Sequence, residues 1–126
     1  MEILKQNSEI YSLRKDDKNA LYFCPKRGGI ILRWLANDNE ILYFDQDRFL
    51  DNKKSIRGGI PILFPICGDL ENNALFGNNC LDLMQHGFAR DHEWKYAINE
   101  FNNTLCLILS DNEITRKYYP YFFELK

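Results

Sequence analysis

The 126-residue sequence has no basic excess and no long apolar run. Its 16 Lys and Arg stand against 18 Asp and Glu, so the formal net charge is −2. No apolar stretch approaches the length needed to span a bilayer, and the first nine residues contain no signal-peptide core. We therefore expect a cytoplasmic protein that does not bind nucleic acid through a broad basic face and has no transmembrane helix.

Histidine and cysteine are too scattered to form a zinc site. The two histidines are six residues apart and no two cysteines form a CxxC pair, so we predict no bound metal. Three cysteines lie in apolar stretches and are predicted to be buried, reduced thiols, whereas the fourth lies in a polar loop and is predicted to be exposed. The three cysteines predicted to be buried are Cys24, Cys67 and Cys106, and the one predicted to be exposed is Cys80.

Patterns typical of several enzyme classes are also missing. There is no GxSxG elbow, no Gly-rich phosphate loop and no carboxylate pair of the kind that glycosidases use. A cysteine nucleophile acting beside His86 has no local support.

The segments that are present predict an all-β fold. Hydrophobic residues make up 45% of the chain and aromatic residues 14%, and short apolar segments alternate with polar turns. Such a pattern favours a sandwich or barrel. The predicted strands are 21–24, 29–36, 40–44, 94–99, 104–110 and 121–126, with hairpin turns at 37–39 and 102–103.

Four further segments are assigned from composition. Residues 60–67 contain two prolines and are predicted to be an extended edge or site segment. We expect a solvated loop at 45–55, a long functional loop at 69–83 and a short helix within 111–119. The last predicted strand has no terminating turn, so we expect residues 1–126 to be one partial domain with an incomplete sheet edge.

Two motifs contain residues that could bind a ligand or take part in catalysis. In Arg57-Gly58-Gly59-Ile60-Pro61, a double glycine allows close backbone approach to a ligand, and the arginine offers donors for hydroxyls or a phosphate. The alternative is an ordinary turn with a surface arginine, and a second such turn, Arg27-Gly28-Gly29, shows how unspecific the triplet is.

The second motif is His86-Gly87-Phe88-Ala89-Arg90. Its histidine could exchange a proton with a ligand near neutral pH, and Arg90 could reach the same cleft. The alternative is a histidine satisfied by a local backbone hydrogen bond. His92, between Asp91 and Glu93, is predicted to be a solvated loop residue.

Taken together in this order, the two motifs resemble the aldose 1-epimerase (mutarotase) superfamily, and more narrowly its glucose-6-phosphate 1-epimerase branch. Segments 28–34, 40–43 and 109–120 fit the same pattern, so the resemblance covers the chain from about residue 21 onward. It implies the N-terminal portion of a galactose mutarotase-like β-sandwich (supersandwich). It also implies an isomerase that interconverts the α and β anomers of a hexose 6-phosphate without a cofactor.

The resemblance also assigns roles. His86 matches a histidine that hydrogen-bonds the sugar near its ring oxygen, while Arg57, Gln85 and Arg90 match the substrate-binding cleft and the arginines would hold the phosphate. Two positions depart from the family pattern: Ile66-Cys67 stands where members have Trp-Phe or Val-Phe, and Tyr121 stands where many members have histidine.

The family's second histidine and its C-terminal glutamate, the main acid and base, have no counterpart in this chain. Three hypotheses follow. The chain is an inactive or nearly inactive portion of an epimerase, or a non-catalytic sugar-phosphate-binding module, or one half of a split protein that associates through its exposed C-terminal strand.

Overall fold

The computed structural model describes residues 2–5, 10–51, 53–70, 75–76, 79–80, 82–99, 101–102 and 104–126, with only the backbone for 2–5, 75–76 and 79–80. Its larger sheet is antiparallel, with five strands in chain order. The strands predicted at 21–24 and 29–36 and the hairpin after them are confirmed, but the first two strands were not predicted. The strands are β1 (Glu2–Lys5), β2 (Tyr11–Asp16), β3 (Asn19–Cys24), β4 (Ile30–Ala36) and β5 (Asn39–Glu40).

The strand predicted at 40–44 is mostly wrong. Only Asn39–Glu40 continues the ladder with β4, and Phe44 instead forms a single antiparallel bridge with Gly58. The turn between β4 and β5 places Asn37 and Asp38 at positive φ, 49° and 63°. That conformation suits the tight hairpin that the polar cluster predicted. The chain then leaves the sheet and runs toward the first motif.

A smaller sheet has three antiparallel strands in the order β10, β9, β8. Strands β8 (Lys95–Asn99) and β9 (Thr104–Ser110) confirm the second predicted hairpin, and β10 (Glu124–Leu125) is shorter than the predicted 121–126. Residues 71–74, 77–78 and 81 of the predicted loop 69–83 lie outside the described residues. Within it the backbone of β6 (Leu75–Phe76) pairs with that of β7 (Asn79–Cys80).

Residues 45–55 are not simply a solvated loop, because they contain helix α1 (Gln46–Leu50). The carboxylate of Asp45 caps this helix by accepting a hydrogen bond from the Arg48 backbone N–H at 3.0 Å. Phe49 turns inward and is 3% exposed, so burial of one aromatic ring holds the short helix against the large sheet. The predicted helix is confirmed as α2 (Thr115–Tyr118).

Among the described residues, three hydrophobic clusters form the core. One joins the large sheet to α1 through Tyr22, Leu32 and Phe49. The other two share the partly buried rings of Phe64 and Phe123, which join the 60–67 segment to the rest of the fold. That segment is extended and touches neighbours through single bridges rather than a full ladder, as its prolines predicted.

The cysteine predictions are confirmed only in part. Cys24 is buried and Cys106 is half-buried, but Cys67 is exposed, because the segment around it runs along the surface rather than through the core. The side chain of Cys80 lies outside the described residues. Neither helix in the described part of the chain is long and apolar enough to cross a membrane.

Candidate functional site

Both Arg-Gly-Gly turns and the histidine motif contribute an arginine to the lining of one pocket of about 300 Å³, which we call the arginine pocket. One acidic residue, Asp91, and the Gly58-Gly59 turn also line it. Its arginines come from three separate segments of the chain: Arg27, Arg57 and Arg90. The arrangement is suited to an anion or to a ligand rich in hydroxyl groups.

The first motif needs glycine for a visible reason. Gly58 has φ +86°, and a Cβ there would lie 2.1 Å from the carbonyl oxygen of Tyr43. The following Gly59 N–H donates to that same carbonyl at 2.8 Å, which locks the turn. Arg57 therefore projects from a rigid turn, and its exposed side chain makes no hydrogen bond or ion pair with the described part of the chain.

The second motif is a strained turn tied to the 60–67 segment. His86 has φ 69°, an uncommon value for a residue with a side chain. Its backbone N–H donates to Gly68 O at 2.7 Å, and the Gly68 N–H donates to His86 Nδ1 at 2.8 Å. The alternative of a local backbone hydrogen bond is met only in part, because the ring is bonded by the backbone of Gly68, 18 residues away, and only at Nδ1. The ring's Nε2 is the nitrogen available to a ligand.

Arg90 is positioned by the short 3-10 turn Ala89–Asp91 that follows the motif. Its guanidinium donates to the Gln85 carbonyl at 3.0 Å and lies 3.7 Å from the Asp91 carboxylate. The buried Trp94 indole N–H donates to Ala89 O at 2.8 Å and fixes the same turn. Arg90 is thereby held in place before any ligand arrives.

The second Arg-Gly-Gly turn packs directly on this region. A Cβ at Gly28 would lie 2.2 Å from the carbonyl oxygen of Arg90, and the Gly28 N–H donates to His92 O at 2.9 Å. Only glycine allows this approach, so the turn that seemed to show the triplet's lack of specificity is part of the same site. Arg27 is the pocket residue that sequence reasoning missed, and the repeated triplet was the signal available.

The predicted site residues do not all line the same pocket. Arg57 and Arg90 line one pocket, whereas His86 lies outside that lining. Gln85 contacts Arg90 through its backbone carbonyl, and its own side chain is exposed.

His92 is not a solvated loop residue. It is half-buried, with its ring centre 5.3 Å from the Phe88 ring centre and Nδ1 2.9 Å from Phe88 O. Within the described residues, no three His, Cys, Asp or Glu side chains are grouped to hold a metal ion.

Comparison with known proteins identifies the family. The family model for aldose 1-epimerase matches residues 9–126. The chain belongs to the aldose 1-epimerase family. This confirms the predicted relationship and extends it to the segment before residue 21.

Relatives with known names agree. A protein named "Putative glucose-6-phosphate 1-epimerase" from Salmonella typhimurium is 32% identical over 103 residues, covering 79% of this chain and 32% of that protein. A protein of the same name from Cenchrus ciliaris is 34% identical over 112 residues, covering 79% of this chain and 30% of its own length. The chain thus spans about a third of these curated relatives.

Solved structures confirm the fold. The Slr1438 protein from Synechocystis sp. PCC 6803 matches with a TM-score of 0.80 and 42% identity, over 91% of this chain and 41% of its own. A galactose mutarotase related enzyme from Lactobacillus acidophilus matches with a TM-score of 0.68 and 28% identity, over 91% of this chain and 36% of its own. The all-β, galactose mutarotase-like fold that the motifs implied is confirmed.

Proposed function

We propose that this chain contributes the phosphate-binding part of a hexose 6-phosphate 1-epimerase. The observation that carries the proposal is the convergence of Arg57 and Arg90 on one pocket, since each comes from one of the two family motifs. Guanidinium groups match the oxygens of a phosphate monoester and are always charged. The relatives named for glucose 6-phosphate support the same substrate class.

The proposed reaction is acid-base ring opening at the anomeric carbon. A base removes the proton from the anomeric hydroxyl, an acid protonates the ring oxygen, and the C1–C2 bond rotates in the open aldehyde before the ring closes again. Each well-placed acid or base contributes about 10²–10⁴-fold in rate. No electrons are transferred, so the reaction needs no redox cofactor.

His86 is the proposed catalytic residue within this chain. Its Nδ1 accepts the Gly68 N–H, so the neutral ring carries its proton on Nε2 and can donate a hydrogen bond to the sugar ring oxygen. In this proposal the main acid and base belong to the part of the family domain that this chain does not match. Residues 1–126 are then one partial domain, and the chain alone binds substrate but catalyses little.

The proposed partner for completing the site is the remainder of such a family domain. Strand β10 lies at the edge of the three-stranded sheet, with Leu125 and Lys126 beside an open groove of about 800 Å³. The groove is lined by apolar side chains of both sheets, including Leu13, Trp34 and Leu107. Association through this edge would bury that surface. The proposed location is the cytoplasm, where the exposed thiol of Cys67 would stay reduced.

A sugar-phosphate-binding module without catalysis is the second candidate. One observation favours it: Arg57 and Arg90, which would bind the phosphate, both belong to this chain and line the same pocket. Both candidates predict binding, and they differ in what happens when the rest of a family domain is supplied.

Anomer exchange measured by NMR tests the proposal. The chain alone should exchange the α and β H1 signals of glucose 6-phosphate no faster than buffer. A chimera in which this chain replaces the matching part of Slr1438 should exchange them faster, and His86→Ala should abolish the gain. A chimera that binds glucose 6-phosphate without accelerating exchange would favour the binding module. Exchange by the chain alone that is lost in His86→Ala would contradict the assignment of the main acid and base to another segment.

A further inference from the structure

Arg27 is held rigidly at the wall of the arginine pocket. Its guanidinium carbon lies 4.6 Å from the centre of the Phe49 ring, and one of its N–H groups donates to the Phe49 carbonyl. Phe49 itself is 3% exposed and part of the main core cluster. The cation is therefore fixed by a buried aromatic ring and by the C-terminal end of helix α1.

These contacts leave most of the Arg27 donors for a ligand. A guanidinium carries five N–H donors, and the Phe49 carbonyl accepts from one nitrogen. The Arg27 side chain makes no other hydrogen bond or ion pair with the described part of the chain. Arg27 also lines the pocket together with Arg57 and Arg90. A role limited to holding helix α1 against the turn would not require this position.

The positive charge of the pocket lining also favours a bound anion. Three arginines and one acidic residue, Asp91, line the pocket, so its lining residues carry a formal charge of +2 in a chain whose net charge is −2. Asp91 already lies 3.7 Å from Arg90. Like charges gathered in one concavity repel one another unless a ligand compensates them.

We propose that Arg27 is a third anion-binding arginine, and that with Arg57 and Arg90 it selects a phosphate monoester over a neutral sugar. The identity of the anion rests on the proposed function, whereas the role of Arg27 does not. Two of the three arginines are positioned in advance, Arg27 by Phe49 and Arg90 by Gln85, and Arg57, whose side chain has no hydrogen bond or ion pair with the described residues, completes the set. The three guanidinium groups equal in number the three terminal oxygens of a phosphate monoester.

Titration of the purified chain with inorganic phosphate and with glucose 6-phosphate tests the proposal. In Arg27→Met the side chain keeps its apolar contact with Phe49 but loses the charge, and affinity for both ligands should fall by about ten-fold or more. Arg27→Lys keeps the charge and should recover part of the loss. An affinity in Arg27→Met within about two-fold of the original protein would overturn the proposal.

Arg33 provides a matched control. Its guanidinium carbon also lies over an aromatic ring, 4.9 Å from the centre of Tyr22, and it pairs with Glu40 away from the pocket. Arg33→Met therefore removes the same charge from a similar stacked position, and phosphate affinity should not change. Equal losses in both variants would show a general charge effect and overturn the proposal.

A second measurement avoids substitutions in case Arg27→Met does not fold. Phenylglyoxal modifies accessible arginines, and phosphate should protect Arg27 but not Arg33 in the unaltered chain. Equal modification with and without phosphate would contradict the role. If Arg57→Met loses affinity and Arg27→Met does not, only this inference fails. If the unaltered chain binds neither phosphate nor glucose 6-phosphate, the proposed function fails with it.

Discussion

The backbone N–H of Gly68 donates to Nδ1 of His86 at 2.8 Å, and the backbone N–H of His86 donates back to the carbonyl of Gly68 at 2.7 Å. This reciprocal pair joins the end of the first motif's segment to the start of the second. It fixes both the position of the histidine backbone and the orientation of its ring. The proposed catalytic group is therefore oriented by the fold before a substrate binds.

The two histidines should be opposite tautomers in their neutral forms. His86 Nδ1 accepts a hydrogen bond, so its proton lies on Nε2. His92 Nδ1 lies 2.9 Å from the Phe88 carbonyl, which can only accept, so its proton lies on Nδ1. Ring ¹⁵N chemical shifts will distinguish protonated from unprotonated nitrogens. The same tautomer for both histidines would contradict the described geometry.

Gly87→Ala should be strongly destabilising. Gly87 has φ +71°, and a Cβ would lie 2.1 Å from the Phe64 carbonyl oxygen, which accepts the backbone N–H of Phe88 at 2.9 Å. Positive φ alone costs about 1–3 kcal/mol for a residue with a side chain, and the backbone clash adds to it.

Gly68→Ala is the matched control for this prediction. Gly68 has φ +100°, but a Cβ there meets nothing within 4 Å, so only the conformational strain applies. Urea denaturation should show a larger loss in the free energy of unfolding for Gly87→Ala than for Gly68→Ala. Equal losses would show that the approach of Gly87 to Phe64 is not tight.

The carboxyl of Asp16 should titrate at unusually low pH. The side-chain amide of Asn19 donates to both carboxylate oxygens, at 2.9 and 3.1 Å, and lowers the pKa of Asp16, with a smaller contribution from the Lys18 backbone N–H. Because the folded-state pKa is depressed, the stabilisation is present above the ordinary pKa and is lost as the pH falls through the folded value.

Asn19→Ala should raise the pKa of Asp16 toward its ordinary value in a carboxyl ¹³C titration. Asn39→Ala, in the neighbouring β4–β5 hairpin, should leave it unchanged, because Asn39 donates to Ala36 and Asn37 instead. A pKa that does not move in Asn19→Ala would show that the amide is not its main cause.

The fold was predictable where apolar residues were dense. Strands β3, β4, β8 and β9 follow from their apolar runs and polar turns. Strand β2 (Tyr11–Asp16) was not predicted, because its second half is charged and mostly exposed. That composition is typical of a loop. Helix α1 was missed because five residues are too few to show a helical period, although Asp45 is a recognisable cap.

The site was less predictable than the fold. Neither motif alone distinguished a site from a turn, and the family resemblance supplied their relationship. The position of Arg27 in the same pocket depends on the Gly28 turn packing on Arg90, a contact between segments about 60 residues apart that local sequence does not reveal. The charged neighbours of His92 predict a solvated ring, whereas the ring packs against Phe88.

The most direct test of the central claim compares glucose 6-phosphate with glucose in a calorimetric titration of the chain and of its Arg57→Met variant. The phosphorylated sugar should bind at least about ten-fold more tightly, since charged hydrogen bonds contribute about 1.5–3 kcal/mol each. Arg57→Met should remove most of this preference without changing the free energy of unfolding, because the exposed Arg57 side chain makes no hydrogen bond or ion pair with the described residues. Equal affinity for the two sugars, or a preference that survives in Arg57→Met, would contradict the account.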